Sequence, residues 1–144
     1  MNAPADPGFA RRCRESFDRQ KAMALIGARL AVLGPGYAEI ELSWREDLTQ
    51  QKGYVHGGIV GMIADTACGY SAFSLMPADC SLVTVEYKMN ILNPGRGTLG
   101  AKAEVVKPGR TLTVARAEVY ADDGTHVATM LQTLMMLAGI PDTP

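Results

Sequence analysis

The sequence lacks the features of secreted, membrane-spanning and nucleic-acid-binding proteins. Its three cysteines are an odd number without Cys-x-x-Cys spacing, which disfavours a disulfide framework and predicts free thiols. Fourteen basic residues balance fifteen acidic ones, so a net charge of -1 offers no field that attracts nucleic acid. The N-terminus lacks the basic and then apolar regions of a signal peptide. We therefore expect a cytoplasmic protein with no nucleic-acid partner.

The longest apolar segment covers residues 59–76 and contains one charged residue, Asp65. Glycines, hydroxyl side chains and that charge make it a poor membrane span, so no membrane partner is expected. A segment that is apolar around its whole circumference predicts a central, buried helix, which should end near Met76 and Pro77. An ionised carboxylate in such a helix loses hydration, and buried acids cluster where chemistry is done. Asp65 is therefore the first catalytic candidate.

The other predicted elements are one short helix and six strands. Asp6-Pro7, followed by apolar residues at helical spacing, predicts a peripheral helix through about residue 21. Near the other end of the chain, Asp122-Asp123-Gly124 predicts a hairpin turn. Alternation of apolar and polar side chains between turn signals predicts strands around residues 30–32, 38–44, 83–91, 98–106, 111–121 and 125–137.

This order of elements predicts an α+β fold. Short turns between the strands favour an antiparallel sheet, and a curved sheet wrapped around the central helix buries every side of that helix. The length of 144 residues, with 47% hydrophobic content, fits one domain with one core. We expect an N-terminal tail and peripheral helix over 1–21, the folded domain over 22–138, and a C-terminal tail over 139–144.

Several motifs occur in an order that matches one enzyme family. They are His56-Gly57-Gly58 with Asp65-Thr66-Ala67, then Thr84-Val85-Glu86 before Asn93-Pro94, and finally Lys107-Pro108-Gly109-Arg110. Over about residues 22–138 the chain resembles the hotdog-fold acyl-CoA thioesterases of the phenylacetate-pathway (PaaI-like) type. The resemblance implies a hotdog fold, hydrolysis of an acyl-CoA to a carboxylic acid and coenzyme A, and no metal or bound cofactor. It also implies homodimers, often paired again into homotetramers.

The motif residues suggest how such a site works. Gly57 and Gly58 leave backbone N–H groups uncovered at a helix start, where the helix dipole can polarise a thioester carbonyl. Asp65 can act as a general base or as a nucleophile, and the sequence leaves both roles open. At 1.5 Å per residue, its backbone lies roughly 12 Å along the same helix from Gly57. Two chains with antiparallel helices would bring Asp65 of one chain to the helix tip of the other.

Further candidates surround this pair. His56 either caps the helix or orients the thioester. The resembled family usually carries an asparagine six residues before the histidine, where this chain has Gln50, with Gln51 adjacent. The family places a Ser or Thr hydroxyl near the acid at Thr84. The remaining substrate-binding candidates are basic turn residues that suit coenzyme A phosphates but also fit solvated surface positions, namely Arg96, Lys107 and Arg110.

Alternatives to the catalytic interpretation remain at this stage. Asp65 can pair with a core arginine or with backbone donors for structure alone. A hotdog dehydratase or hydratase would need a histidine and acid pattern that is not found here. A non-catalytic acyl-CoA-binding or regulatory module would use the same helix tip and leave Asp65 a structural role. The acyl group that the substrate carries cannot be derived from the sequence.

Overall fold

A computed structural model describes residues 3–144, so the first two residues of the predicted tail 1–21 lie outside the described part. The elements of the chain, in order, are α1 Phe9–Asp18, α2 Lys21–Ile26, β1 Arg29–Gly34, β2 Tyr37–Leu42, a 3₁₀ turn Glu46–Leu48, α3 Gly57–Phe73, β3 Cys80–Ile91, β4 Leu99–Lys107, β5 Leu112–Ala121 and β6 His126–Ala138. The strands form one antiparallel sheet in the order β1-β2-β4-β5-β6-β3. The predicted α+β architecture is confirmed.

The sheet wraps around α3, because its middle strands present very small side chains to the helix. Four alanines at alternating positions of β4 and β5 are fully buried, which allows the helix backbone to come close. They are Ala101, Ala103, Ala115 and Ala117.

Within the described residues 3–144, no helix is long and apolar enough to cross a membrane.

The central helix begins and ends close to the predicted residues. His56 caps its first turn, and the helix ends at Phe73 rather than near Met76. The last residues continue in tighter turns, in which the N–H groups of Leu75 and Met76 donate to the carbonyls three residues earlier at 3.1 Å. This is the tightening expected at a helix end, and it explains the difference of three residues.

One stripe of α3 is not covered by its own chain, so the prediction of a helix buried on every side is wrong for this stripe. Its residues recur at helical spacing and are only half-buried: Ile59, Met62, Asp65, Thr66 and Gly69. The neighbouring strand β3 is an edge strand of twelve residues, and it exposes Val83, Val85 and Tyr87 by 42 to 52%. An apolar helix stripe therefore lies beside an exposed apolar sheet edge.

The N-terminal region and one histidine differ from the sequence predictions. The peripheral helix is two helices, because α1 ends at Asp18 and a separate α2 follows, closed by Gly27 in the left-handed conformation (φ 74°). His126 follows the predicted Asp122-Asp123-Gly124 hairpin turn, where a polar side chain is expected to be exposed, but it is half-buried. Its ring stacks on Tyr120 with centroids 4.6 Å apart, and its Nε2 lies 2.7 Å from Glu118.

The three cysteines are buried free thiols, as predicted. Burial raises the pKa of Cys13 to about 12 and also raises the pKa of Cys68 and Cys80. Thiols that stay protonated at neutral pH are poor nucleophiles. Cys68, on the central helix, is therefore assigned to the core rather than to catalysis.

Candidate active site

Asp65 lies midway along α3 and is held by two side chains of the sheet. Thr84 of β3 donates a hydrogen bond from Oγ1 to Asp65 Oδ1 at 2.8 Å. Gln132 of β6 donates from Nε2 to the same carboxylate oxygen, and also to Thr84 Oγ1 at 2.8 Å. Among residues 3–144, no cation forms an ion pair with Asp65, so the structural alternative of a paired arginine is not found. The structure thus brings together two predicted catalytic residues, Asp65 and Thr84.

Gln132 is a member of this cluster that the sequence analysis missed. It lies in a row of β6 side chains that point toward the helix, between buried Met130 and Leu134, and it is fully buried itself. A polar side chain on the apolar side of a strand is unusual, because burial removes its hydration. That break in the alternation is the signal by which the sequence could have indicated Gln132.

A cavity of about 330 Å³ opens next to Asp65 and Thr84. Its walls come from α1, α2, α3 and β3, with one residue of the C-terminal tail. Polar and apolar residues line it in nearly equal parts, and its polar side contains Ser16 and Tyr70, whose hydroxyls are 3.0 Å apart. The remaining lining includes Met23, Met62, Gly69, Phe73, Leu82 and Asp142. This is a mixed cavity of the kind that small organic groups occupy.

The tip of α3 carries the other predicted catalytic residues. His56 is its N-cap, and its Nδ1 accepts a hydrogen bond from the Gly58 N–H at 2.8 Å. This contact leaves the ring proton of neutral His56 on the exposed Nε2. Within residues 3–144, the N–H of Gly57 donates to no acceptor. Of the two N–H groups expected to be uncovered, that of Gly58 is capped by His56, so the prediction is wrong for Gly58. The helix tip offers one unpaired backbone donor, that of Gly57, beside an imidazole donor.

Gln50 lies near this tip and Gln51 does not share its position. Gln50 and Gly57 line the same cavity of about 370 Å³, together with Tyr54 and Ile91. Gln51 is exposed and lies outside that cavity. In this chain the Gln50 side chain accepts a hydrogen bond from the backbone N–H of Lys52 through Oε1. Its amide nitrogen remains available to a ligand.

Asp65 and Gly57 do not meet within one chain. The cavity beside Asp65 and the cavity beside Gly57 have no lining residue in common. The two groups are eight residues apart on one helix, roughly 12 Å at 1.5 Å per residue. A single chain therefore contains two separated halves of the predicted site.

The predicted phosphate-binding residues fall at two ends of the molecule. Arg96 lies near the start of α3, where its guanidinium group is 4.8 Å from the ring centre of Tyr54. Lys107, the last residue of β4, and Arg110, in the β4–β5 turn, are both exposed. They lie beyond Val105, whose N–H donates to the carbonyl of Gly36 near the end of α3. Of the three, only Arg96 is next to the Gly57 cavity of the same chain.

The curved antiparallel sheet around one helix, with an acid on that helix and an open helix tip, is the arrangement that the motifs predict for a hotdog fold. Residues 52–128, more than half of the chain, match the model of the Thioesterase superfamily. The chain belongs to this superfamily, so the family predicted from the motifs is confirmed.

Known proteins support this assignment. A solved thioesterase family protein from Silicibacter pomeroyi is 51% identical, with a TM-score of 0.89 over 92% of this chain and 100% of that one. The PaaI protein of the phenylacetic acid degradation operon of E. coli has a TM-score of 0.85 over 92% and 96% of the two chains; at 20% identity it shares the hotdog fold. A curated relative from Saccharolobus solfataricus is 31% identical over 80 residues, which are 56% of this chain and 53% of the relative. The chain thus spans about half the length of that relative.

Proposed function

We propose that this protein hydrolyses an acyl-CoA thioester to a free carboxylic acid and coenzyme A. The observation that carries the proposal is the Asp65 carboxylate, whose Oδ1 accepts bonds from Thr84 and Gln132 while the residue also lines the 330 Å³ cavity. Release of free thiol from a panel of acyl-CoA substrates, with wild type and with Asp65→Asn, tests it. Binding of acyl-CoA without thiol release would instead support a non-catalytic module.

The proposed reaction uses Asp65 in one of two ways. As a general base, its carboxylate takes a proton from water, whose oxygen attacks the acyl carbon. As a nucleophile, the carboxylate attacks the acyl carbon, and water then hydrolyses the resulting anhydride. In both routes the carbon–sulfur bond breaks, the electron pair stays on sulfur, and the coenzyme A thiolate leaves and is protonated. No metal or bound cofactor is needed for either route.

The helix tip supplies the second half of the proposed mechanism. The unpaired N–H of Gly57, at the positive end of α3, is suited to hold the thioester oxygen as it becomes negative. The Nε2 proton of His56 and the amide of Gln50 are further donors near the same oxygen. Arg96 is suited to a coenzyme A phosphate, because its guanidinium packs on Tyr54, which lines the Gly57 cavity.

We further propose that the working enzyme is at least a homodimer, with each active site shared between two chains. The half-buried stripe of α3 and the exposed edge strand β3 form one continuous surface that a second copy can cover. Long edge strands with exposed apolar residues pair readily with another strand. A two-fold arrangement would set Asp65 of each chain opposite Gly57 of its partner.

Lysine in place of Val85 is expected to dissociate this dimer. Val85 is 52% exposed at a bulge of β3, and charged residues on an edge strand oppose pairing between two chains. Sedimentation should detect monomers, and the activity per chain should rise with protein concentration as dimers re-form. Val32→Lys is the matched control, because Val32 is 43% exposed beside a bulge on the opposite edge strand β1. Dissociation by Val32→Lys and not by Val85→Lys would contradict the proposed interface.

The cavity beside Asp65 is our proposed acyl-binding site, and Gly69 tests it. A Cβ at Gly69 would meet no atom within 4 Å, so Gly69→Ala should fit and stabilise α3 by about 0.5–1 kcal/mol. Gly69→Leu should extend into the cavity and raise KM for long acyl groups more than for short ones. The KM of both variants, measured over acyl-CoA substrates of increasing acyl length, checks this expectation. An equal change in KM at every length would mean that the acyl group binds elsewhere.

A further inference from the structure

Gln132 has a hydrogen-bonding pattern that serves the Asp65 carboxylate specifically. Its amide nitrogen carries two protons, and the two acceptors within reach are Asp65 Oδ1 and Thr84 Oγ1. The amide cannot be turned around, because its oxygen would then face the carboxylate oxygen. The single hydroxyl proton of Thr84 is in turn directed at Asp65 Oδ1. The three side chains form a closed ring with one possible direction of donation.

All of these donors converge on one oxygen of the carboxylate. Within residues 3–144, hydrogen bonds from other side chains reach Oδ1 of Asp65 and none reaches Oδ2. Two fixed donors on Oδ1 hold the plane of the carboxylate, since a rotation about the Cβ–Cγ bond would break both bonds. Oδ2 is then the oxygen left for the reaction.

The same amide is poorly placed for stability. Its Oε1 is fully buried and has no hydrogen-bond partner among the described residues. A buried acceptor without a partner opposes folding, and an apolar side chain of equal length would avoid this. A side chain that is unfavourable for the fold but well directed at a reactive group is typical of functional sites.

We propose that Gln132 is a positioning residue that orients Asp65, directly and through Thr84, so that Oδ2 faces the substrate. This inference rests on the proposed thioesterase function, in which Asp65 is the base or the nucleophile. Gln132 itself touches no reacting atom, because it is buried behind Asp65 and Thr84. Its effect should therefore appear in kcat rather than in substrate binding.

The test replaces Gln132 with methionine, which has a similar length but no donor. We expect kcat to fall by about 10- to 100-fold through loss of orientation, KM to stay within about twofold, and the thermal midpoint to stay equal or rise. Thr133→Val is the matched control: it lies next in the same strand and bonds to Glu86 at 2.8 Å, away from the site. It should keep wild-type kcat. A Thr84→Val/Gln132→Met double variant should lose little more than the worse single variant, because the two residues act as a unit.

The outcomes separate this inference from the proposed function. If Gln132→Met keeps wild-type kcat while Asp65→Asn is inactive, the enzyme assignment survives and the positioning role is overturned. A lower thermal midpoint with an unchanged kcat would indicate a structural role and would also overturn it. Fully additive losses of kcat in the double variant would overturn it as well, because they would mean that Gln132 does not act through Thr84. If the wild type releases no thiol from any acyl-CoA, the proposed function and this inference fail together.

Discussion

Replacing Asp65 with asparagine is expected to lower kcat for acyl-CoA hydrolysis by about 10²- to 10⁴-fold, because an amide neither takes a proton from water nor attacks the acyl carbon. Asparagine keeps the shape of the side chain, and its Oδ1 still accepts from Thr84 and Gln132. KM and the thermal midpoint should therefore change little. Thiol release from several acyl-CoA substrates, measured beside thermal unfolding, checks the expectation.

A matched control for this variant is Asp47→Asn. Asp47 is exposed in the 3₁₀ turn and pairs with Arg45 at 2.9 Å on the surface, where an ion pair contributes little. The activity of the Asp47→Asn variant should equal that of the wild type. Wild-type rates in Asp65→Asn would reduce Asp65 to a structural role. Acyl-CoA binding without hydrolysis in the wild type and in both variants would favour the binding module over the enzyme.

Most of the fold was predictable because its elements carry strong local patterns. Alternation between turn signals predicts five of the six strands within one or two residues, whereas β3 begins at Cys80, three residues before the predicted strand 83–91. The central helix was evident from its composition. The short α2 was not, since no N-cap side chain separates its six residues from α1.

The candidate site was predictable where a motif marks it and not where tertiary contacts create it. Asp65 and Gly57 stand out because one is a charge in an apolar helix and the other begins that helix. Gln132 is 67 residues beyond Asp65 in the chain, and only the pairing of β6 with β3 brings it to Thr84. Likewise, the turn that holds Lys107 and Arg110 resembles a phosphate-binding turn locally, and only the strand register reveals that it lies far from Arg96.

The second large effect is expected from Gly57→Pro, which removes the proposed oxyanion donor without disturbing the helix. Gly57 is the first residue of α3, where proline is favoured, and His56 before it has φ -57° and ψ 135°, which suit a following proline. A Cβ there would meet only Ile91, at 4.0 Å. The thermal midpoint should be unchanged, while kcat should fall by about 10²- to 10³-fold.

Mixing Gly57→Pro with Asp65→Asn then tests whether the site is shared between chains. In a mixed dimer, the intact Asp65 of one chain faces the intact Gly57 of the other, so one of two sites is restored. After random exchange of subunits the mixture should recover about a quarter of wild-type activity, although each variant alone is nearly inactive. Mixing Asp65→Asn with Thr84→Val is the matched control, because both changes affect the half of the site that contains Asp65. Each mixed dimer then has one site damaged by Asp65→Asn and one site damaged by Thr84→Val.

Recovery in the first mixture and not in the second would mean that the acid and the helix tip act across the interface. The distance argues for this result, because a rigid helix keeps its own Asp65 roughly 12 Å from its own Gly57, too far for both to contact one thioester. If labelled subunits are seen to exchange and the first mixture stays inactive, each chain must complete its own site. The unpaired N–H of Gly57 would then need a role other than binding the thioester oxygen.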